Sequence, residues 1–240
     1  MQNQGVGRLA RVQAGGDVPF RGLILDFAGV LTEGVDSAHR DWCRAQGLAE
    51  SAWETTLEDH PEGRALYKAL ESGRLTQSEW NRRTATLLGV PDHQDLMGRA
   101  WAGVRPAARM IALARAARRA GCVVGLLSNS FGLDPYDPYR ELGVWDLFDV
   151  TVISEHEGIA KPDPAIYQIV LDRIGLPGSA CVFVDDRRDN LVPAAALGIT
   201  TVHAEGCDTA VAHLAQLLNL PAVPPPRPGR HHPTRDVRGA

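Results

Sequence analysis

Apolar residues in this chain fall into short, nearly unbroken runs separated by longer stretches of mixed polarity. Five runs stand out: Leu23–Leu25, Val123–Leu127, Val150–Ile153, Cys181–Val184 and Thr200–Val202. They are rich in Val and Ile and close in polar or glycine-containing loops, as strands buried on both faces do. Helical patterns lie between them, at about Ala107–Ala120, Pro164–Ile174, Asn190–Leu197 and Thr209–Leu218. This alternation predicts an α/β fold: a Rossmann-like parallel sheet of about five strands with helices on both faces. Ligands of such a sheet collect at the carboxyl ends of its strands.

One interval departs from the alternation. Residues 35–104 hold only helical patterns, with acids, arginines and four of the five tryptophans, Trp42, Trp53, Trp80 and Trp101. A helical insertion directly after the first strand would lie over the strand ends as a lid. Its tryptophans are expected to form a small core of their own. The predicted organisation is a flexible segment 1–19, a core from 20–34 and 105–220, an inserted helical cap at 35–104, and a disordered tail at 221–240. That tail begins Pro-Ala-Val-Pro-Pro-Pro-Arg-Pro, a composition unable to build a core.

Composition adds four points. The net charge of −4 over 240 residues gives no reason to expect nucleic acid as a partner. No apolar run approaches the ~20 residues that cross a bilayer, and the N-terminus lacks a secretory signal's apolar segment. No membrane partner and a cytoplasmic location are therefore expected. The cysteines Cys43, Cys122, Cys181 and Cys207 show no zinc-type spacing and read as reduced, mostly buried thiols. Lysine occurs only at Lys68 and Lys161, so a lysine beside a strand end is informative.

Four polar signals follow four of the strands. Asp26 ends the first, before the small turn Phe27-Ala28-Gly29. Ser128-Asn129-Ser130 follows the second, where a hydroxyl and backbone amides suit a phosphoryl oxygen. Lys161 sits in Lys161-Pro162-Asp163-Pro164, a loop pinned by two prolines, where a fixed cation can neutralise transferring charge. Asp185 and Asp186 close the fourth, and adjacent carboxylates repel unless something positive lies near. Mg²⁺, which binds through a few carboxylates and keeps several waters, is the natural counter-ion.

The order Asp, Ser, Lys-Pro, Asp-Asp resembles the four motifs of the haloacid dehalogenase superfamily over about residues 20–220, and the insertion resembles its type-one cap. The loop Gly73-Arg74-Leu75-Thr76-Gln77-Ser78-Glu79-Trp80 looks like a segment common in such caps. The resemblance implies a hydrolase of a small phosphorylated metabolite that works through an aspartyl-enzyme intermediate. It implies Asp26 as nucleophile, Ser128 as holder of the phosphoryl oxygens and Lys161 as the steadying cation. Mg²⁺ would be held by Asp26, the Ala28 carbonyl and Asp186, with Asp185 beside them and Asn190 in support. Substrate contacts are expected from Ser128, Asn129, Lys161 and the cap residues His39 and Arg40.

The departure is Ala28. Phosphatases of the superfamily usually carry a second aspartate there, which protonates the leaving group and later activates water. Such help is worth ~10²–10⁴ in rate. A substitute from the cap, such as His39 or Asp41, is one resolution, and a substrate with an easy leaving group is another. Carbon–halogen cleavage is a third, although such members carry an aromatic residue at that position and use no metal. Carbon–phosphorus cleavage also matches Asp-x-Ala-Gly, but needs a cap lysine, and Lys68 reads as a solvated helix position. A catalytically silent phosphate-binding module is the remaining alternative.

Overall fold

The computed structural model describes residues 20–205 and 207–224. The expectations for residues 1–19, for the tail from 225 onward and for the Cys207 side chain lie outside the described residues. The chain opens with β1 (Gly22–Leu25), β2 (Thr32–Glu33), α1 (Val35–Ala45) and α2 (Ala52–Glu54), which runs into a π-helical turn at Thr55–Asp59. It continues through α3 (Pro61–Glu71), α4 (Gln77–Leu88), α5 (Leu96–Trp101), β3 (Arg105–Pro106), α6 (Ala108–Arg119) and β4 (Val123–Ser128). After the short α7 (Pro138–Glu141) come β5 (Val150–Ile153), α8 (Ser154–Glu157), α9 (Pro164–Ile174), β6 (Cys181–Asp185), α10 (Arg188–Ala196), β7 (Thr200–His203) and α11 (Cys207–Leu217).

The five expected strands form one parallel sheet in the order β5-β4-β1-β6-β7. Its two faces follow the period of two in the sequence. Leu23, Leu25, Val124, Leu126, Val182 and Val184 pack to one side, with Ile24, Leu127, Val152 and Phe183 on the other. Register then sets the chemistry. Leu25 pairs with Leu126 on one flank and Val184 on the other, so the next residues, Asp26 and Asp185, emerge together at the carboxyl edge.

Local signals fix the helix that follows Lys161. Asp163 caps α9 by accepting from the Ala165 amide at 2.9 Å, Pro164 fills its first turn, and Gly175 ends it in the left-handed region at φ 70°. Its bounds are those expected.

Helices α1–α5 make the inserted cap. Where it leaves the core the chain forms a two-stranded antiparallel ribbon, Thr32 opposite Pro106 and Glu33 opposite Arg105. Trp42, Trp53 and Trp80 interlock edge to face inside the cap, at centroid distances of 5.3 and 5.9 Å. Trp101 departs from the expectation of a separate tryptophan core. It lies parallel to Phe27 at 6.0 Å and packs on Phe131 at 4.7 Å, because α5 delivers it to the point where the chain re-joins the core.

A second seam joins cap to core at Gln77, which is 2% exposed. Its amide donates to the carbonyls of Phe131, Gly132 and Tyr136 at 2.8, 3.0 and 3.0 Å and accepts from the Tyr136 amide at 2.9 Å. A Cβ on Gly132 would lie 2.5 Å from that of Gln77, so glycine permits the approach.

Candidate active site

At the carboxyl edge of the sheet the Lys161 ammonium donates to Asp26 Oδ1 and to Asp185 Oδ2, both at 2.7 Å, with all three side chains buried. Burial alone would depress the Lys161 ammonium, but the two carboxylates outweigh it and hold it above its ordinary value. Burial pushes Asp26 up to about 7 against the pull of Lys161, with the Asp185 and Asp186 charges adding to the rise.

Asp185 and Asp186, adjacent in sequence, differ in what they can do. Asp185 is fully buried and its oxygens are already engaged, by Lys161, by the Arg187 amide at 2.8 Å and by Asn190 Nδ2 at 3.0 and 3.1 Å. It serves as the anchor of Lys161, and it remains one of the three carboxylates grouped closely enough to hold a metal ion. Asn190, expected in support of the Asp186 metal ligand, bonds Asp185. Asp186 faces the cavity instead, and burial with the Asp185 charge beside it raises its carboxyl.

Oxygens of Asp26, Asp185 and Asp186 lie within 4.8 Å of one another. Gly29 shapes this space: at φ 72°, a Cβ there would meet Asp186 Oδ2 at 2.5 Å. The donor set of Asp26, Asp185 and Asp186, with the Ala28 carbonyl in the turn after Asp26, suits a hard divalent cation. The residues fit Mg²⁺.

The second motif divides its work unexpectedly. Ser128 is buried, its hydroxyl accepting from Tyr139 Oη at 2.9 Å and donating to the Asn129 carbonyl at 3.1 Å. It does not line the cavity, whereas Asn129 does. The Asn129 amide ties three loops together. Its Oδ1 accepts from the Lys161 backbone at 2.8 Å, and its Nδ2 donates to the Lys161 carbonyl and to Glu71 Oε1, both at 3.1 Å.

Above these residues lie an inner cavity of about 160 Å³ and an outer one of about 670 Å³. The inner cavity is walled by Asp26, Ala28 and Asp186, and the two share His39, Trp53, Tyr67, Glu71 and Lys161. His39 stacks on Trp53 at 4.8 Å, and its Nε2 is buried without a hydrogen-bond partner among the described residues. Burial lowers the imidazole to about 4, so it is neutral at physiological pH. Arg40 and Lys68 are exposed and line the outer cavity, so Lys68 borders the cavity rather than open solvent alone. Asp41 is exposed, paired with Arg44 at 2.6 Å, and outside the lining of both cavities.

The sequence model for haloacid dehalogenase-like hydrolases matches residues 20–198, well over half of the chain. The chain belongs to this family. Mouse acyl-CoA dehydrogenase family member 10 is 41% identical to this hydrolase over 116 residues, 47% of the chain but only 11% of the mouse protein. The sesquiterpene phosphatase astK of Aspergillus oryzae is 28% identical over 155 residues, covering 63% of this chain and 79% of the phosphatase. A HAD family enzyme from Bacteroides thetaiotaomicron, crystallised with magnesium and inorganic phosphate, shares the fold. Its TM-score is 0.56 and its identity 24%, over 77% of this chain and 93% of that one.

This haloacid dehalogenase-like hydrolase thus brings Asp26, Lys161, Asp185 and Asp186 together as its sequence order implies. Its site also contains residues that the sequence reading passed over: Glu71 and Tyr67 of the cap and Arg187 of the core. Glu71 carried one usable signal, its place two residues before the Gly73 loop that looks like a cap motif.

Proposed function

We propose that this hydrolase is a Mg²⁺-dependent phosphatase of a small phosphorylated metabolite, acting in the cytoplasm through an aspartyl-phosphate on Asp26. The observation that carries the reading is the single ammonium of Lys161 bridging Asp26 and Asp185, with Asp186 beside them. Phosphoryl transfer is chiefly positioning and charge neutralisation, and this arrangement is organised for both.

Asp26 supplies the attacking oxygen, in line with the leaving oxygen. Lys161 fixes that carboxylate and offsets the negative charge brought by the phosphoryl group. Asp185, bonded by Arg187 and Asn190, keeps Lys161 from turning away. Asp26, Asp186 and the Ala28 carbonyl would hold Mg²⁺, which supplies neutralisation of the phosphoryl oxygens. A dication there also favours the ionised Asp26 that attack requires, whereas burial raises that group to about 7 without it. Asn129 and Lys161 face the phosphoryl position. His39 and Arg40 are placed to meet the remainder of the substrate, the outer cavity being far larger than a phosphate group. The relative named as a sesquiterpene phosphatase and the neighbour holding magnesium and phosphate support this chemistry.

Hydrolysis of p-nitrophenyl phosphate with Mg²⁺ and with EDTA tests the proposal. Wild-type protein turns over only with the metal, and Asp26→Asn abolishes turnover while still folding. Unchanged activity in Asp26→Asn removes the reading. Ala28 favours one second reading, a silent phosphate-binding module, whose signature is phosphate binding without turnover of any ester.

A further inference from the structure

Ala28 leaves the inner cavity without the carboxyl group that would manage the leaving group's proton. Among the described residues three carboxylates line that cavity: Asp26, Asp186 and Glu71. The first two are committed to attack and to the metal. Glu71 is the third, and it arrives from the cap, on the last turn of α3.

The core holds it in place. Asn129 Nδ2 donates to Glu71 Oε1 at 3.1 Å, and the same Asn129 is locked to the backbone of Lys161. The Ser154 hydroxyl donates to the Glu71 carbonyl, fixing the backbone as well as the carboxyl. Oε1 is thereby occupied, and no bond to Oε2 is formed among the described residues. The charged and titratable groups around Glu71 are Arg187 and Lys161 from the core, Lys68 and Tyr67 from its own helix, and Asp26 near Tyr67. Burial outweighs the Asn129 bond and the three cations and raises the carboxyl, in the direction a general acid at neutral pH requires. His39 shares the cavity but is neutral down to about 4, which makes it a poor proton donor at working pH.

Resting on the phosphatase reading, we propose that Glu71 is the general acid and base that replaces the side chain missing at Ala28. In the first step an Asp26 oxygen bonds to phosphorus as the bond to the leaving oxygen breaks. That oxygen takes the Glu71 proton, giving the free alcohol, a Glu71 carboxylate and aspartyl-phosphate. In the second step the Glu71 carboxylate takes a proton from water as its oxygen attacks phosphorus. The bond to Asp26 breaks, releasing inorganic phosphate and restoring the Asp26 carboxylate and the Glu71 acid.

Glu71→Gln is the test, because glutamine can still accept from Asn129. The probes are p-nitrophenyl phosphate, whose leaving group departs as a stable anion, and glycerol 2-phosphate, whose leaving group needs a proton. Mg²⁺ is present throughout. With p-nitrophenyl phosphate the variant should release a rapid burst of about one equivalent of nitrophenolate and then turn over slowly, since only water attack lacks its base. With glycerol 2-phosphate both steps suffer, and kcat/KM should fall by ~10²–10⁴ relative to wild type. An equal loss on both substrates without a burst, or no loss on either, overturns the assignment. So does the same burst signature in His39→Gln with Glu71→Gln unimpaired. Asp26→Asn run in parallel separates the two claims, for a burst in that variant defeats the phosphatase reading itself.

Discussion

Replacing Lys161 with methionine leaves two carboxylates facing one another in a buried site. In the native protein each Lys161 contact, at 2.7 Å, is a gross attraction of ~6 kcal/mol at an effective dielectric constant of about 20. Much of that offsets the cost of burying the three charges, so the loss to expect is that of breaking a buried pair, about 3–5 kcal/mol. The loss should depend on pH. Asp26, already raised to about 7, loses with Lys161 the cation that pulls it down, and a carboxyl raised on folding above its unfolded value of ~3.9 stabilises below that value and loses the contribution as pH rises. Lys161→Met should therefore cost most at pH 8 and less at pH 5, where the stranded Asp26 takes up a proton. Mg²⁺ should return part of the loss at pH 8 by supplying positive charge beside Asp26. Urea unfolding followed by tryptophan fluorescence, at both pH values with EDTA or Mg²⁺, measures all of this. A loss below ~1 kcal/mol at pH 8, or an equal loss at both pH values, refutes the electrostatic account.

Gly29→Ala combines a left-handed backbone cost of ~1–2 kcal/mol with a collision against Asp186. It should lower both thermal stability and Mg²⁺ affinity, and unchanged metal titration would show that Asp186 is not shaped by this turn. His39→Phe keeps a ring against Trp53 and removes the buried imidazole. With His39 held near 4 in the folded state, the native protein loses stability as pH falls from about 6.5 towards 4, because only the unfolded chain readily binds that proton. The variant should consequently gain about 2–3 kcal/mol relative to wild type between pH 7.5 and pH 4.5, read from paired denaturant titrations. No differential between the two pH values would place the imidazole in contact with water.

The sheet was legible because parallel strands buried on both faces leave continuous apolar runs, and α9 because Asp163-Pro164 and Gly175 punctuate it. The ribbon of β2 and β3 was not, since two residues per strand carry no period. Trp101 was assigned to the cap's own core because sequence position suggested it, whereas packing against Phe27 is decided by where α5 delivers it. At the site, the strand-end order gave Asp26, Lys161 and Asp186 their places. The saturation of Asp185 and the turning of Ser128 towards Tyr139 are hydrogen-bond outcomes that no local pattern encodes. Glu71 was missed for a related reason: its partner Asn129 is 58 residues away, and on a helix a lone glutamate looks like solvent-facing polarity.

The seam at Gln77 sets the direction from which the site can be reached. Parting cap from core along that edge would strip one buried amide of two N–H donations, shared among three carbonyls, and one accepted bond, on the order of 3 kcal/mol at ~1 kcal/mol apiece. That edge is tied by hydrogen bonds, as is the Glu71 end of α3, where Asn129 and Ser154 hold it to the core. The exposed side chains of Arg40, Glu50 and Glu54 line the larger chamber, none of them part of that seam. Under the proposed function, a substrate entering through that chamber would meet Asp26 and Asp186, which line the smaller cavity, last.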